Sequence, residues 1–364
     1  MEIEPFSPVL PNPALITSAD TFFDVVKEDY LDYRRKGMFV DAGDAGYYVY
    51  HLREGDNTYL GLICGVPARL YREGFVRQHE GTLAASEQQQ LQLLVLREAV
   101  VKPVLLSYPV IDEIESLLET VAKTSSPVLE LDDGPLIKHR LFEVSPESDG
   151  GARLRKMFAE EVPHVYIADG HHRCSSLELY NKRLEQRGER GVPLLAALFS
   201  SRQVRVRAYH RVLQLPVDLS PLALMARLSE LFEVQPLTEP TLPEARHELT
   251  LLLQDEAFRL RWRPAMLEGE GLHLDAGLFN ALVSGPIFGI ADIRTDSRII
   301  YVPGITGVRN VLNRVQRRPD RVGFMLYGLE AEDMFAVVDA GEIMPPKSTW
   351  FEPRMRNGLT VMEL

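Results

Sequence analysis

Two runs rich in β-branched and aromatic residues, Tyr47 to Leu52 and Thr58 to Val66, flank Gly55-Asp56-Asn57, and this pattern predicts a β-hairpin. The period then changes. Ser86, with Gln89 three residues on and Leu91, Leu94 and Val95 beyond, predicts a capped helix. Pro103 to Ile111 is a continuous apolar run of the kind a buried strand shows, and Ile111, Ile114, Leu117, Leu118 and Val121 share one helical stripe. After a loop-like stretch from Ser145 to Gly151, Val162 to Ala168 predicts a strand running directly into Asp169-Gly170-His171-His172-Arg173. Leu177, Tyr180 and Leu184 continue as a helix, and Val192 to Ser200 as a strand. Short apolar strands alternating with amphipathic helices predict an α/β layer with at least partly parallel strands.

Arg205 to Leu213 alternates arginine with valine as an edge strand would. Beyond it the texture shifts. Ser220-Pro221 starts a helix carrying Leu224, Leu228, Leu231 and Phe232, a second helix is predicted over Pro243 to Gln254, and Thr306 caps a third. Phe258 to Trp262 and Ile299 to Val302 read as strands. A soft boundary between Leu213 and Leu219 divides an α/β domain, residues 1–213, from an α+β domain, residues 214–364.

Composition narrows the functional classes. The chain has 364 residues, with 40 Lys+Arg against 52 Asp+Glu and a net charge of −12, which disfavours a nucleic-acid or anionic-membrane partner. At about 150 residues per domain the length fits two domains. Cys64 and Cys174 cannot build a disulfide framework. The opening residues lack the basic start and apolar run of a secretory signal, and no apolar stretch approaches the ~18–20 residues of a membrane span. A cytoplasmic location is the expectation.

Three segments carry candidate chemistry. In Asp169-Gly170-His171-His172-Arg173 an apolar strand meets a helix start. Exposed N–H groups and the positive end of the helix dipole attract phosphate there, Gly170 admits close backbone approach, and Arg173 can fork onto phosphate oxygens. The plainer alternative is a β-α turn capped by Asp169. Two histidines and an arginine at the carboxyl end of a strand favour a ligand site. A zinc site at His171, His172 and Cys174 is disfavoured, because adjacent helical residues point about 100° apart. Arg77-Gln78-His79-Glu80-Gly81-Thr82 gathers a cation, an imidazole, a carboxylate and a hydroxyl in one loop, with Glu80 suited to general-base work; a polar turn is the equal alternative. Pro345-Pro346-Lys347-Ser348-Thr349 offers anion donors on a stiffened approach, but reads more simply as the entry to a last strand, Trp350 to Pro353. Tyr209-His210-Arg211 either lines a cleft or protects a sheet edge.

The succession GFVRQHEGT, HVYIADGHHR, AYHRVL and EIMPPKSTWFEP resembles the bacterial and archaeal family known as domain of unknown function 1015, over nearly the whole chain. That family is itself similar to the ParB/sulfiredoxin superfamily, which includes ParB-like free serine kinases. The resemblance implies a mixed-sheet nucleotide-binding core. Its phosphate site would be Asp169 to Arg173 with Arg77 and Thr82, and Glu80, beside His79, would activate a substrate hydroxyl. His210, Arg211, Lys347, Ser348 and Thr349 would be accessory anion contacts. ATP or ADP is the implied nucleotide, with Mg²⁺ partnered by Asp169. The chain departs from the family pattern at Ser86-Glu87-Gln88-Gln89, where a Lys-Glu-Asp-Arg-like run is usual, and at Thr21 to Val25. The expected activity is phosphoryl transfer to a small metabolite hydroxyl, serine or a related amino acid being one acceptor. The alternative is a nucleotide-binding switch or scaffold without small-molecule catalysis. A sulfiredoxin-like reductase is disfavoured, since Cys174 follows Arg173 instead of preceding the His-Arg pair.

Overall fold

Apolar strands that alternate with amphipathic helices bury their faces in layers, and the computed structural model, described for residues 1–269, 273–345 and 347–364, forms two such units. The first comprises residues 1–205 and 353–364, and the second residues 206–352. The division thus falls after Arg205, the first residue of the strand Arg205–Gln214, whereas the sequence places a soft boundary between Leu213 and Leu219.

The first unit is built on an eight-stranded mixed sheet. Its strand order is Val76–Arg77, Val165–Asp169, Val104–Tyr108, Leu194–Ser200, Asn57–Val66, Tyr47–Glu54, Ile137–Val144 and Leu129–Asp132. The predicted hairpin is present, closing at Glu54 opposite Asn57. Two pairings are parallel, Val76–Arg77 with Val165–Asp169 and Leu194–Ser200 with Val104–Tyr108, and the others are antiparallel. Gly61 is required at the sheet centre, because a Cβ there would lie 2.6 Å from the Phe199 ring and 2.8 Å from the Leu198 carbonyl oxygen. Helix Asp112–Thr124 buries Ile114, Leu117 and Leu118 against this core, each worth roughly 1.5–3 kcal/mol of transfer.

Several local expectations change. The Ser86 helix starts earlier, at Ala84 behind Leu83, so Ser86 lies inside the first turn instead of capping it. The stretch from Ser145 divides: Ser148 caps a helix, Asp149–Glu161, and its Oγ accepts from the Gly151 N–H at 3.1 Å. Helix Ala19–Arg35 has no predicted counterpart.

The second unit has a seven-stranded sheet and helices that include Pro221–Leu231, Gly307–Gln316 and Ala331–Asp339. Ser220 caps the first of these as predicted, its Oγ accepting from the Ala223 N–H. Two corrections follow from pairing. Arg205–Gln214 is an interior strand, bonded on one side to Ile299–Pro303 and on the other to Arg321–Leu326. The predicted helix Pro243 to Gln254 contains instead the strand Glu248–Leu253, buried at every position between Glu256–Trp262 and Arg321–Leu326. An unbroken apolar run suits a doubly covered central strand as well as a helix, and the sheet decides.

Candidate functional site

The strand Val165–Asp169 ends on Asp169, and Gly170 turns the chain into helix His171–Gln186. Gly170 has φ +112°, and a Cβ there would lie 2.7 Å from Arg173 Nη2 and 2.8 Å from Val104 Cγ1. Only glycine fits both the dihedral and the space. Asp169 is therefore the last strand residue, and Gly170 takes the cap position expected for it, with no side-chain cap.

Sheet pairing assembles the surroundings. Asp169 faces Leu105 across an antiparallel ladder, and Val104 faces Ala196 across a parallel one. The end of the first strand and the beginnings of the other two thus share one end of the sheet, which brings Lys102 to Asp169. The Asp169 carboxylate accepts from Arg173 Nη2 at 2.8 Å and from Arg354 Nη1 at 3.3 Å, and Lys102 Nζ stands 4.0 Å away. Burial alone would raise the Asp169 pKa, but Arg173, Lys102 and Arg354 together override it and hold the carboxyl well below the usual carboxylate range. Lys102 shows the reverse balance: burial, reinforced by Arg173, pushes its ammonium down to about 8 against the pull of Asp169.

Beside this cluster lies a cavity of about 300 Å³. Lys27, Arg97, Lys102 and Arg173 supply cations to its wall, Gln90, Ser176 and Asn357 supply neutral polar groups, and leucine, valine and alanine side chains complete it. No carboxylate is among its described lining residues. The Nε atoms of Arg97 and Arg173 are buried and have no hydrogen-bond partner among the described residues. Such donors favour an acceptor brought by a ligand.

The loop after Val76–Arg77 meets the same region. Arg77 pairs with Tyr166 in the parallel ladder, and His79 packs edge-to-face on His171 with ring centroids 4.5 Å apart. Burial lowers His79 to about 4, opposed by a hydrogen bond to the Ile167 backbone, and burial likewise pushes His171 well below its ordinary value. The two motifs therefore converge, but His79 and His171 are neutral at pH 7 and supply no phosphate charge there. Neither they nor Glu80 line the cavity. The Thr82 hydroxyl donates to Glu87. His172 is half-buried in the first helical turn. Cys174 is buried and its thiol pushed up to about 12, which suits packing better than redox chemistry.

Asp169 does not fit a resident Mg²⁺, because its two carboxylate oxygens accept from Arg173 and Arg354. Among the described residues no three His, Cys, Asp or Glu side chains gather to hold a metal ion. No described helix is long and apolar enough to cross a membrane.

The remaining expected contacts belong to the second unit. Burial lowers His210 to about 4, and its Nδ1 accepts from the Leu326 N–H at 3.3 Å, so it is no cation at neutral pH. Arg211 is wholly buried, its guanidinium 5.4 Å from the Phe279 ring centroid and 5.7 Å from that of Tyr301. Lys347 lies 5.4 Å over Tyr209, and Ser348 Oγ donates to the Pro345 carbonyl at 2.6 Å. Thr349 opens the last strand of that sheet, Thr349–Glu352. Pro346 lies outside the described residues.

Lys102, Arg97, Lys27, Asn357 and Arg354 have no predicted role. Lys102 carries a legible signal, being the one charge between Glu98 and Asp112 and standing immediately before Pro103 and a buried strand. Arg97 ends the helix that leads into the same segment as Lys102, and Lys27, Arg354 and Asn357 reach the site by long-range packing.

A mixed α/β sheet with a cation-walled cavity at one end defines the class of this protein. The chain belongs to the family described as protein of unknown function (DUF1015), which it matches over residues 10–282. Among solved structures it is similar to SbnI with C-terminal truncation from Staphylococcus aureus, at 14% identity and TM-score 0.43, covering 81% of this chain and 85% of that one. It is also similar to a free serine kinase variant in complex with AMP, at 12% identity and TM-score 0.40, covering 84% and 94% respectively. A conserved hypothetical protein from Pyrococcus furiosus matches at 13% identity and TM-score 0.37, over 79% and 91%. No curated protein matches the sequence.

Proposed function

We propose that the chain binds ATP or ADP in this cavity and transfers a phosphoryl group to the hydroxyl of a small metabolite. The observation that carries the reading is the cavity wall, with four cations and no carboxylate among its described residues in a chain of net charge −12. Lys102, Arg173 and Arg97 would take the phosphates, and the leucine wall the base. Phosphoryl transfer depends mainly on positioning and charge stabilisation, which such a wall supplies. Glu80 would orient the acceptor hydroxyl, with His79 fixing the loop. Mg²⁺ would arrive with the nucleotide, since Asp169 does not provide it a site. An ammonium-bearing acceptor such as serine finds no counter-charge in the described wall and would sit outside it, toward Glu80.

Charge-assisted hydrogen bonds contribute roughly 1.5–3 kcal/mol, so Lys102→Met and Arg173→Ala should each weaken ADP binding about 10- to 100-fold in calorimetric titration. Wild-type protein that binds none of ATP, ADP and AMP at millimolar concentration refutes the site. In a hydroxyl-acceptor panel with ATP and ADP, Glu80→Gln should lower transfer at least about 100-fold with nucleotide affinity unchanged. One observation favours a second reading, a nucleotide-dependent switch without transfer: neither His79 nor Glu80 lines the cavity. Tight ADP binding with no transfer to any acceptor would select it.

A further inference from the structure

We infer that Arg354, on the segment that returns to the first unit, is a positioning residue of the cavity, setting the charge and aim of Lys102 and Arg173 through Asp169. The inference rests on the anion-binding reading above.

Lys102 and Arg173 line the cavity, while Asp169 and Arg354 are not among its lining residues. Asp169 is the carboxylate common to three cations: Arg173 at 2.8 Å, Arg354 at 3.3 Å and Lys102 at 4.0 Å. With Arg354 in place, part of the Asp169 charge is engaged away from the cavity, and Asp169 neutralises Lys102 and Arg173 less. Without Arg354, Asp169 neutralises both more fully and draws them from the ligand. Opposite charges at such separations interact strongly once partly desolvated.

The segment is built to hold Arg354 there. Arg356 Nη2 is paired with Asp133 at 2.7 Å, and Asn357 Nδ2 donates to the Phe23 carbonyl at 3.1 Å. The Gly358 N–H donates to the Val101 carbonyl at 2.6 Å, and Met362–Glu363 pairs with Ala99–Val100. Asn357 itself lines the cavity, as do Ala99, Val100 and Val101. One segment therefore supplies wall, support and counter-charge.

The charged groups acting on Lys102 are Arg173, Arg354 and Arg356, which lower its pKa, and Asp169, which raises it. Removing Arg354 must lift the pKa of the Lys102 ammonium from about 8. The test is ADP affinity by calorimetry between pH 6.5 and 9.5 for wild type, Arg354→Ala, Arg354→Lys, Lys102→Met and Arg173→Ala. At pH 7 Arg354→Ala should bind ADP about tenfold more weakly and Arg354→Lys within about threefold of wild type. The alkaline fall in affinity should begin near pH 8 in wild type and at higher pH in Arg354→Ala. Unchanged affinity, or weaker affinity with an unmoved alkaline limb, overturns the inference while leaving the cavity reading intact. If Lys102→Met and Arg173→Ala bind ADP like wild type, the cavity reading fails and this inference with it. Should Arg354→Ala not fold, Arg354→Gln is read by the same two measures.

Discussion

If the cavity binds nucleotide as proposed, Gly170→Ala should lose ADP binding by at least about 100-fold, and about 2–4 kcal/mol of stability in urea unfolding. The added Cβ meets two atoms at once, Arg173 Nη2 at 2.7 Å and Val104 Cγ1 at 2.8 Å, at a residue whose φ is +112°. Arg173 is flexible and could swing away, but it would leave Asp169 and the cavity. Val104 is β-branched and fixed in a central strand, so it yields only if the sheet shifts. Either relief damages the site, one through its ligand and the other through its frame. An alanine variant with native affinity and native stability would refute the geometry assigned to this turn.

The second large effect is on pH. His79 and His210 are buried as neutral imidazoles with pKa values of about 4, below the unfolded value near 6.5. As pH falls below 6.5 the unfolded chain takes up protons that the folded chain refuses. Stability from these groups is thus complete above pH 6.5 and is lost as pH falls toward 4. Each histidine removes on the order of 2 kcal/mol between pH 7 and pH 5. His171 acts in the same direction. Since His79 and His171 lie in the first unit and His210 in the second, both units should soften over this range. Asp169 behaves differently: its depressed pKa keeps its contribution until pH falls below the ordinary carboxylate range. Urea melts at pH 7, 6 and 5 test this, with His79→Gln expected to flatten the slope for the first unit. Equal stability at pH 7 and pH 5 would contradict the burial of neutral imidazoles.

Local pattern carries some of this architecture and not the rest. The hairpin is legible from its Gly55-Asp56-Asn57 turn, the helix Asp112–Thr124 from its single apolar stripe, and the strand Leu194–Ser200 from the polar stretch Gln186 to Gly191 that sets off its short apolar run. Glu248–Leu253 is not, since an apolar run without alternation has no period to distinguish strand from helix. Ala19–Arg35 does hold helical spacing in Phe22, Phe23, Val26 and Tyr30, diluted by the charges between them. In the site, Gly170 and Arg173 declare themselves by residue type at a strand-to-helix junction. The neutrality of His79 and His171 does not, because it comes from burial that only the packed structure creates. Lys102 and Arg354 meet Asp169 through a strand ladder and a returning segment, and neither juxtaposition has a local signature.

The return of residues 353–364 also imposes an order on synthesis. Every residue of the second unit is polymerised between Arg205 and Pro353. A growing chain can therefore complete the second unit while the first still lacks Arg354, Asn357 and the strand that pairs with Ala99–Val100. Domains otherwise tend to fold in the order in which they are made. Of these two units, the one begun first is finished second, and its cavity is complete only once Asn357 has been added.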